Sequence, residues 1–180
     1  HNVYPFRADS SFLYFFEHPE PDAAALFDPA DGTVTLFVKA RTVADALWEG
    51  ELESFAALQE RQRVDRVEPL EQLEAIVQRQ AKGRRLEAVA VADARTTRRA
   101  RALTGQDLDF DDPAKCASPK LSAALAGLRL KKDATELAEI KRTAEVTLRA
   151  HLAAITASKP GVSEQLLTGL VEGTFARGGF

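Results

Sequence analysis

Apolar and polar positions change period several times along the chain, and each change marks an element. In residues 22–40, "DAAALFDPADGTVTLFVKA", two apolar runs flank Asp28-Pro29-Ala30-Asp31-Gly32. Val34, Leu36 and Val38 alternate with Thr33, Thr35 and Phe37, so the segment predicts strand, tight turn, strand. Thr42 then stands as an N-cap before a short helix that Gly50 stops. "ESFAALQERQ" predicts a further helix and "DRVEP" a short extended piece. In "LEQLEAIVQRQAKG", Leu70, Leu73, Ile76 and Val77 recur at helical spacing and Gly83 ends the helix. The run "LEAVAVAD" (86–93) is apolar almost throughout, which predicts a strand covered on both faces. A basic helix and "LDFDDP" follow. Strands alternating with helices predict an α/β fold, with a mixed or mostly parallel sheet flanked by helices.

The period changes again near residue 118. "SPKLSAALAGL" predicts a short helix with Pro119 in its first turn. A long helix is expected from about 133 to 157, because Asp133 and Glu136 have capping-box spacing. Leu137, Ile140, Ala144, Leu148, Leu152 and Ile155 form its buried stripe. Ser163 caps a last helix carrying Leu166, Leu167, Leu170, Val171 and Phe175, and Gly178-Gly179 stops it. Two helices with nothing to cover their apolar stripes begin a domain rather than make one. The expected organisation is an α/β domain over 1–128 and an incomplete second domain over 129–180.

Composition narrows the function classes. At 180 residues and 45% hydrophobic, the chain is long enough for one substantial core. Its charged residues are 28% of the total with a formal net charge of -3, which argues against nucleic acid or an anionic membrane as partner. The arginine clusters "KGRRLE" and "RTTRRAR" read as solvated helix ends among acidic neighbours. No apolar run approaches the roughly 18 residues of a membrane span, and no charged-then-apolar leader is present. A single cysteine, Cys116, leaves no internal disulfide and is compatible with a reducing cytosol. With no initiator Met and no Met at all, the chain is expected to be a piece of a longer polypeptide.

A search by chemistry returns little. His1, His18 and His151 have no spacing that could hold zinc, and His151, beside Leu148 and Leu152, reads as a satisfied structural histidine. No glycine run forms a phosphate loop, and no serine sits in a Gly-x-Ser-x-Gly elbow. The carboxylates are dispersed along helices as solubilising charge. The residues themselves therefore nominate no catalytic group and no metal ligand.

Wording and order say more. "YPFRADSSFLYFFEHPEPDAAALF" gathers Tyr4-Pro5-Phe6-Arg7, Asp9, Phe12, Tyr14 and Pro19-Glu20-Pro21-Asp22. "TLFVKARTVADALWEG" adds a strand, a loop and a helix bearing Trp48-Glu49-Gly50. Both segments resemble the amino-terminal domain of the aminopeptidase P and prolidase family, a creatinase-like α/β fold. At the far end Arg129, Lys132, Glu136, Ala150-His151 and Pro160-Gly161-Val162-Ser163-Glu164 resemble the opening helices of that family's pita-bread catalytic domain.

The resemblance implies a metal-dependent exopeptidase that hydrolyses the bond between an amino-terminal residue and a following proline, an Xaa-Pro aminopeptidase. The alternatives are an Xaa-Pro dipeptidase (prolidase) and, from another class, a non-catalytic partner-binding module. It further implies two divalent ions, manganese, cobalt or zinc, held by residues that lie beyond Phe180. Proline-containing peptides as substrates, a homodimer or homotetramer and a cytoplasmic location complete what it implies. Trp48, Arg7 and Tyr4 become candidates for the substrate channel or a subunit contact. For Trp48 the alternative is a core anchor, for Arg7 an internal salt bridge, and for the aromatics burial under the first hairpin. Where family members often carry an acidic residue before the Tyr-Pro step, this chain has His1-Asn2-Val3.

Overall fold

The structure, a computed structural model, describes residues 6–16, 18, 20–50 and 53–180. It divides into two compact units, His1–Leu125 and Ala126–Phe180.

The first unit is built on a hairpin. Strand β1 (Ala23–Asp28) pairs antiparallel with β2 (Thr33–Val38), in register from Ala23 opposite Val38 to Asp28 opposite Thr33. The turn is fixed by its carboxylates: Asp28 Oδ1 accepts from the Ala30 N–H at 3.0 Å and Asp31 Oδ1 from the Thr33 N–H at 3.0 Å. Gly32 takes φ 72°, a left-handed value that glycine adopts without penalty. Strand β3 (Arg66–Pro69) then pairs parallel with β2, giving a mixed sheet of order β1-β2-β3.

The central strand is covered on both faces. Leu36 and Val38 face a cluster with Phe16, Leu58, Val64 and Val67, drawn from the end of helix α1 (Ser10–Phe15), helix α3 (Phe55–Gln62) and β3. Phe37 points the other way, against Leu73, Ile76 and Val77. Those three lie on α4 (Leu73–Ala81), the helix whose spacing announces this stripe. Lys82 and Gly83, both at positive φ, end α4 as expected. Helix α2 (Val43–Glu49) lies between β2 and α3 in the chain, and α5 (Ala94–Thr104) follows α4.

Residues 86–93 depart from expectation. They run from the α4 turn to α5 without joining a ladder among the described residues. Residues later in the chain bond three of their backbone positions instead. The Ala88 N–H donates to Gln106 Oε1 at 2.8 Å, and the Ala90 N–H to the Cys116 carbonyl at 2.7 Å. Thr97 Oγ1 accepts from the Val91 N–H at 2.9 Å and donates to the Val91 carbonyl at 2.7 Å. An apolar run thus packs Ala90 into the interior without strand partners.

Helix α6 (Pro119–Leu130) begins at the expected proline and runs across the division between the units. In the second unit, α7 (Ala134–Ala157) starts at the capping box of Asp133 and Glu136, and α8 (Glu164–Arg177) at Ser163. Val146 and Ala150 are the buried residues of α7, and Val146 meets the close of α8 at Gly178. Arg142 donates to the Gly178 carbonyl at 3.2 Å and lies 4.8 Å from the Phe180 ring centroid. The stripe read as buried is instead exposed: Leu137, Ile140, Ala144, Leu148, Leu152 and Ile155 all face solvent. At 3.6 residues per turn Val146 and Ala150 lie on the opposite side of α7 from that stripe, so packing on α8 leaves it uncovered. His151, on the same outer side, is exposed rather than a buried structural histidine.

Candidate functional site

Helix α2 presents the most exposed apolar surface of the first unit. Its start is a full capping box: the Thr42 N–H donates to Asp45 Oδ2 at 2.6 Å, and Thr42 Oγ1 accepts from the Asp45 N–H at 3.4 Å. The Thr42 N–H and the Thr42 hydroxyl, which donates to the same Asp45 Oδ2 at 2.8 Å, favour the ionised Asp45 carboxylate and hold its pKa below the ordinary range. Gly50, at φ 84°, ends the helix after seven residues. Between these stops Val43, Leu47 and Trp48 are 80%, 83% and 90% exposed. Val43 and Leu47, four residues apart, share one side of the helix, and Trp48 stands about 100° round from Leu47. Trp48 is therefore not a core anchor; its indole stands in solvent on a doubly stopped helix.

Arg7 is exposed and donates to Ser10 Oγ at 3.1 Å and to the Ala8 carbonyl at 3.5 Å. Among the described residues no ion pair of Arg7 with a carboxylate is seen. Tyr4 lies outside the described residues. Of the other aromatics, Phe12, Phe15 and Phe16 pack on the first sheet face, with Phe15 and Phe16 centroids 5.1 and 6.0 Å from Phe27. Phe6 and Tyr14 stay exposed, a correction to the expectation that both pack under the hairpin.

Sequence reading passed over two charged contacts. Arg84 grips Asp28 with two bonds of 2.6 and 2.5 Å across 56 positions, joining the end of β1 to the end of α4. Nothing local signals such a pair. Arg41, 18% exposed in its side chain, lies 3.7 Å from Glu20. His18 is a further unexpected feature, an imidazole 7% exposed. Burial lowers its pKa, Glu20 opposes that, and Arg61 and Glu53 act in opposite directions on it.

These groups set an acid response. His18 is held below 6.5, so the unfolded chain takes up its proton first and stability declines as pH falls below 6.5. Asp28 is pulled from 3.8 to about 2 by its Arg84 hydrogen bonds, so its contribution is complete above 3.8 and is lost as pH falls toward 2. Urea midpoints measured from pH 8 to pH 2 should therefore fall in two windows. Arg84→Ala should make the lower window shallower, the lowered carboxylates Asp31, Asp45, Glu53, Asp93 and Asp107 supplying the rest, and should leave the upper one; an unchanged lower window would mean that the pair carries no linkage.

Among the described residues no group of three His, Cys, Asp or Glu side chains could hold a metal ion. No described helix is long and apolar enough to cross a membrane. Cys116 is half-buried, its thiol donating to the Phe110 carbonyl at 3.3 Å. The described donor set thus does not fit a dinuclear metal centre.

Comparison with known proteins decides the family. Residues 1–90, half of the chain, match the family described as "Aminopeptidase P, N-terminal domain". The chain belongs to the aminopeptidase P family. The probable Xaa-Pro aminopeptidase pepP of Aspergillus fumigatus is 26% identical over 167 residues, which cover 92% of this chain and 34% of that protein. The Aspergillus terreus protein of the same name is 28% identical over 166 residues, with the same coverage. Among solved structures, Pseudomonas aeruginosa aminopeptidase PepP is 27% identical with a TM-score of 0.73, covering 99% of this chain and 41% of its own. Zinc-substituted Escherichia coli aminopeptidase P, bound to product, shares the fold with a TM-score of 0.74 at 24% identity. The chain spans about a third of the length of the curated relatives it matches.

Proposed function

We propose that this chain is the amino-terminal part of a metal-dependent Xaa-Pro aminopeptidase, with residues 1–128 as its α/β domain and 129–180 as the opening of the catalytic domain. The observation that carries the reading is the extent of the likeness. Similarity to the Pseudomonas aeruginosa aminopeptidase runs through nearly the whole chain, well past the 90 residues of the family domain. All the relatives and neighbours compared above are named as aminopeptidases of this kind, which favours that activity over a dipeptidase.

In this reading the 180 residues bind and position, and two divalent ions (manganese, cobalt or zinc) would be held by residues outside them. When bound, such ions supply a metal-activated hydroxide and a Lewis acid for the scissile carbonyl. The side chains described here hold no ion and move no proton in that chemistry. What α2 offers is exposed apolar surface: the Trp48 indole suits a proline ring or an extended peptide backbone, with Leu47 and Val43 exposed on the same helix. Arg7, turned outward, is placed to meet a carboxylate from a peptide or a neighbouring subunit. Assembly as a homodimer or homotetramer in the cytoplasm belongs to the same proposal.

The test is activity of the full-length gene product with added manganese on Xaa-Pro dipeptides and tripeptides. Hydrolysis of the tripeptide is expected, and Trp48→Ala should raise KM by about 2- to 10-fold, the worth of one aromatic contact, with an unchanged melting temperature. Failure on both peptides sinks the proposal. An unaltered KM in Trp48→Ala removes Trp48 from it.

A further inference from the structure

We draw no further inference here: the strongest candidate, the aromatic patch of Tyr14, Phe15 and Phe27 beside the edge strand β1, carries nothing because nothing in the structure shows what covers it.

Discussion

Phe37→Ala should lower the free energy of unfolding by about 3–5 kcal/mol, the range for deleting a fully buried aromatic. Phe37 is completely buried at the centre of β2 and packs against Leu73, Ile76 and Val77. Ala24, Leu26, Leu70, Leu86 and Leu103 close the margins of that cluster. The residues on either side of it, Leu36 and Val38, point into the other core, so Phe37 is the large apolar side chain that β2 gives to the α4 layer. Urea denaturation is the measurement, with the midpoint falling and the slope nearly constant. A loss below about 1 kcal/mol, the cost of a surface change, would show that α4 is not docked on this face. Leu36→Ala tests the opposite face in the same way, with about 2–5 kcal/mol expected.

Gly178→Ala should cost about 1–3 kcal/mol through overpacking. Backbone conformation is not the cause, because Gly178 has φ -80°, a value any residue adopts. The cause is space: an added Cβ would lie 2.7 and 2.9 Å from the two methyls of Val146. Val146 is 2% exposed and β-branched, so it has little rotamer freedom with which to yield. On the same helix Gly169 and Gly173 would meet nothing within 4 Å. Alanine there should stabilise by up to about 1 kcal/mol, from helix propensity alone. Thermal unfolding of the three single variants should separate these signs, and Val146→Ala should recover part of the loss in Gly178→Ala. Equal effects at positions 169 and 178 would mean that α8 does not close on α7 as described.

Local chemistry was the readable part of this sequence. The capping pairs Thr42–Asp45 and Asp133–Glu136, the Asp-Pro-Ala-Asp-Gly turn and the α4 stripe each draw on neighbours within four positions, and each formed as expected. What failed depended on distant partners. An apolar residue states that burial would be favourable, not that a surface is present to provide it. The α7 stripe therefore read as core, and Trp48 as either channel wall or core anchor, and both emerged exposed. The run at 86–93 has strand composition, yet Gln106, Thr97 and Cys116 supply its hydrogen bonds from outside any ladder. At the candidate site, the position and limits of α2 were legible, while the direction of its indole was not. The Arg84–Asp28 pair and the burial of His18 left no periodic or motif signature at all.

Thr97 has a consequence for how this chain keeps company with others in solution. An extended apolar run with open backbone groups is a template for cross-β stacking. One hydroxyl occupies both the donor and the acceptor of Val91, and together with the Ala88 and Ala90 contacts it withdraws that template from passing chains. Thr97→Val would reopen both Val91 groups, and lower solubility is the expected first sign of that loss.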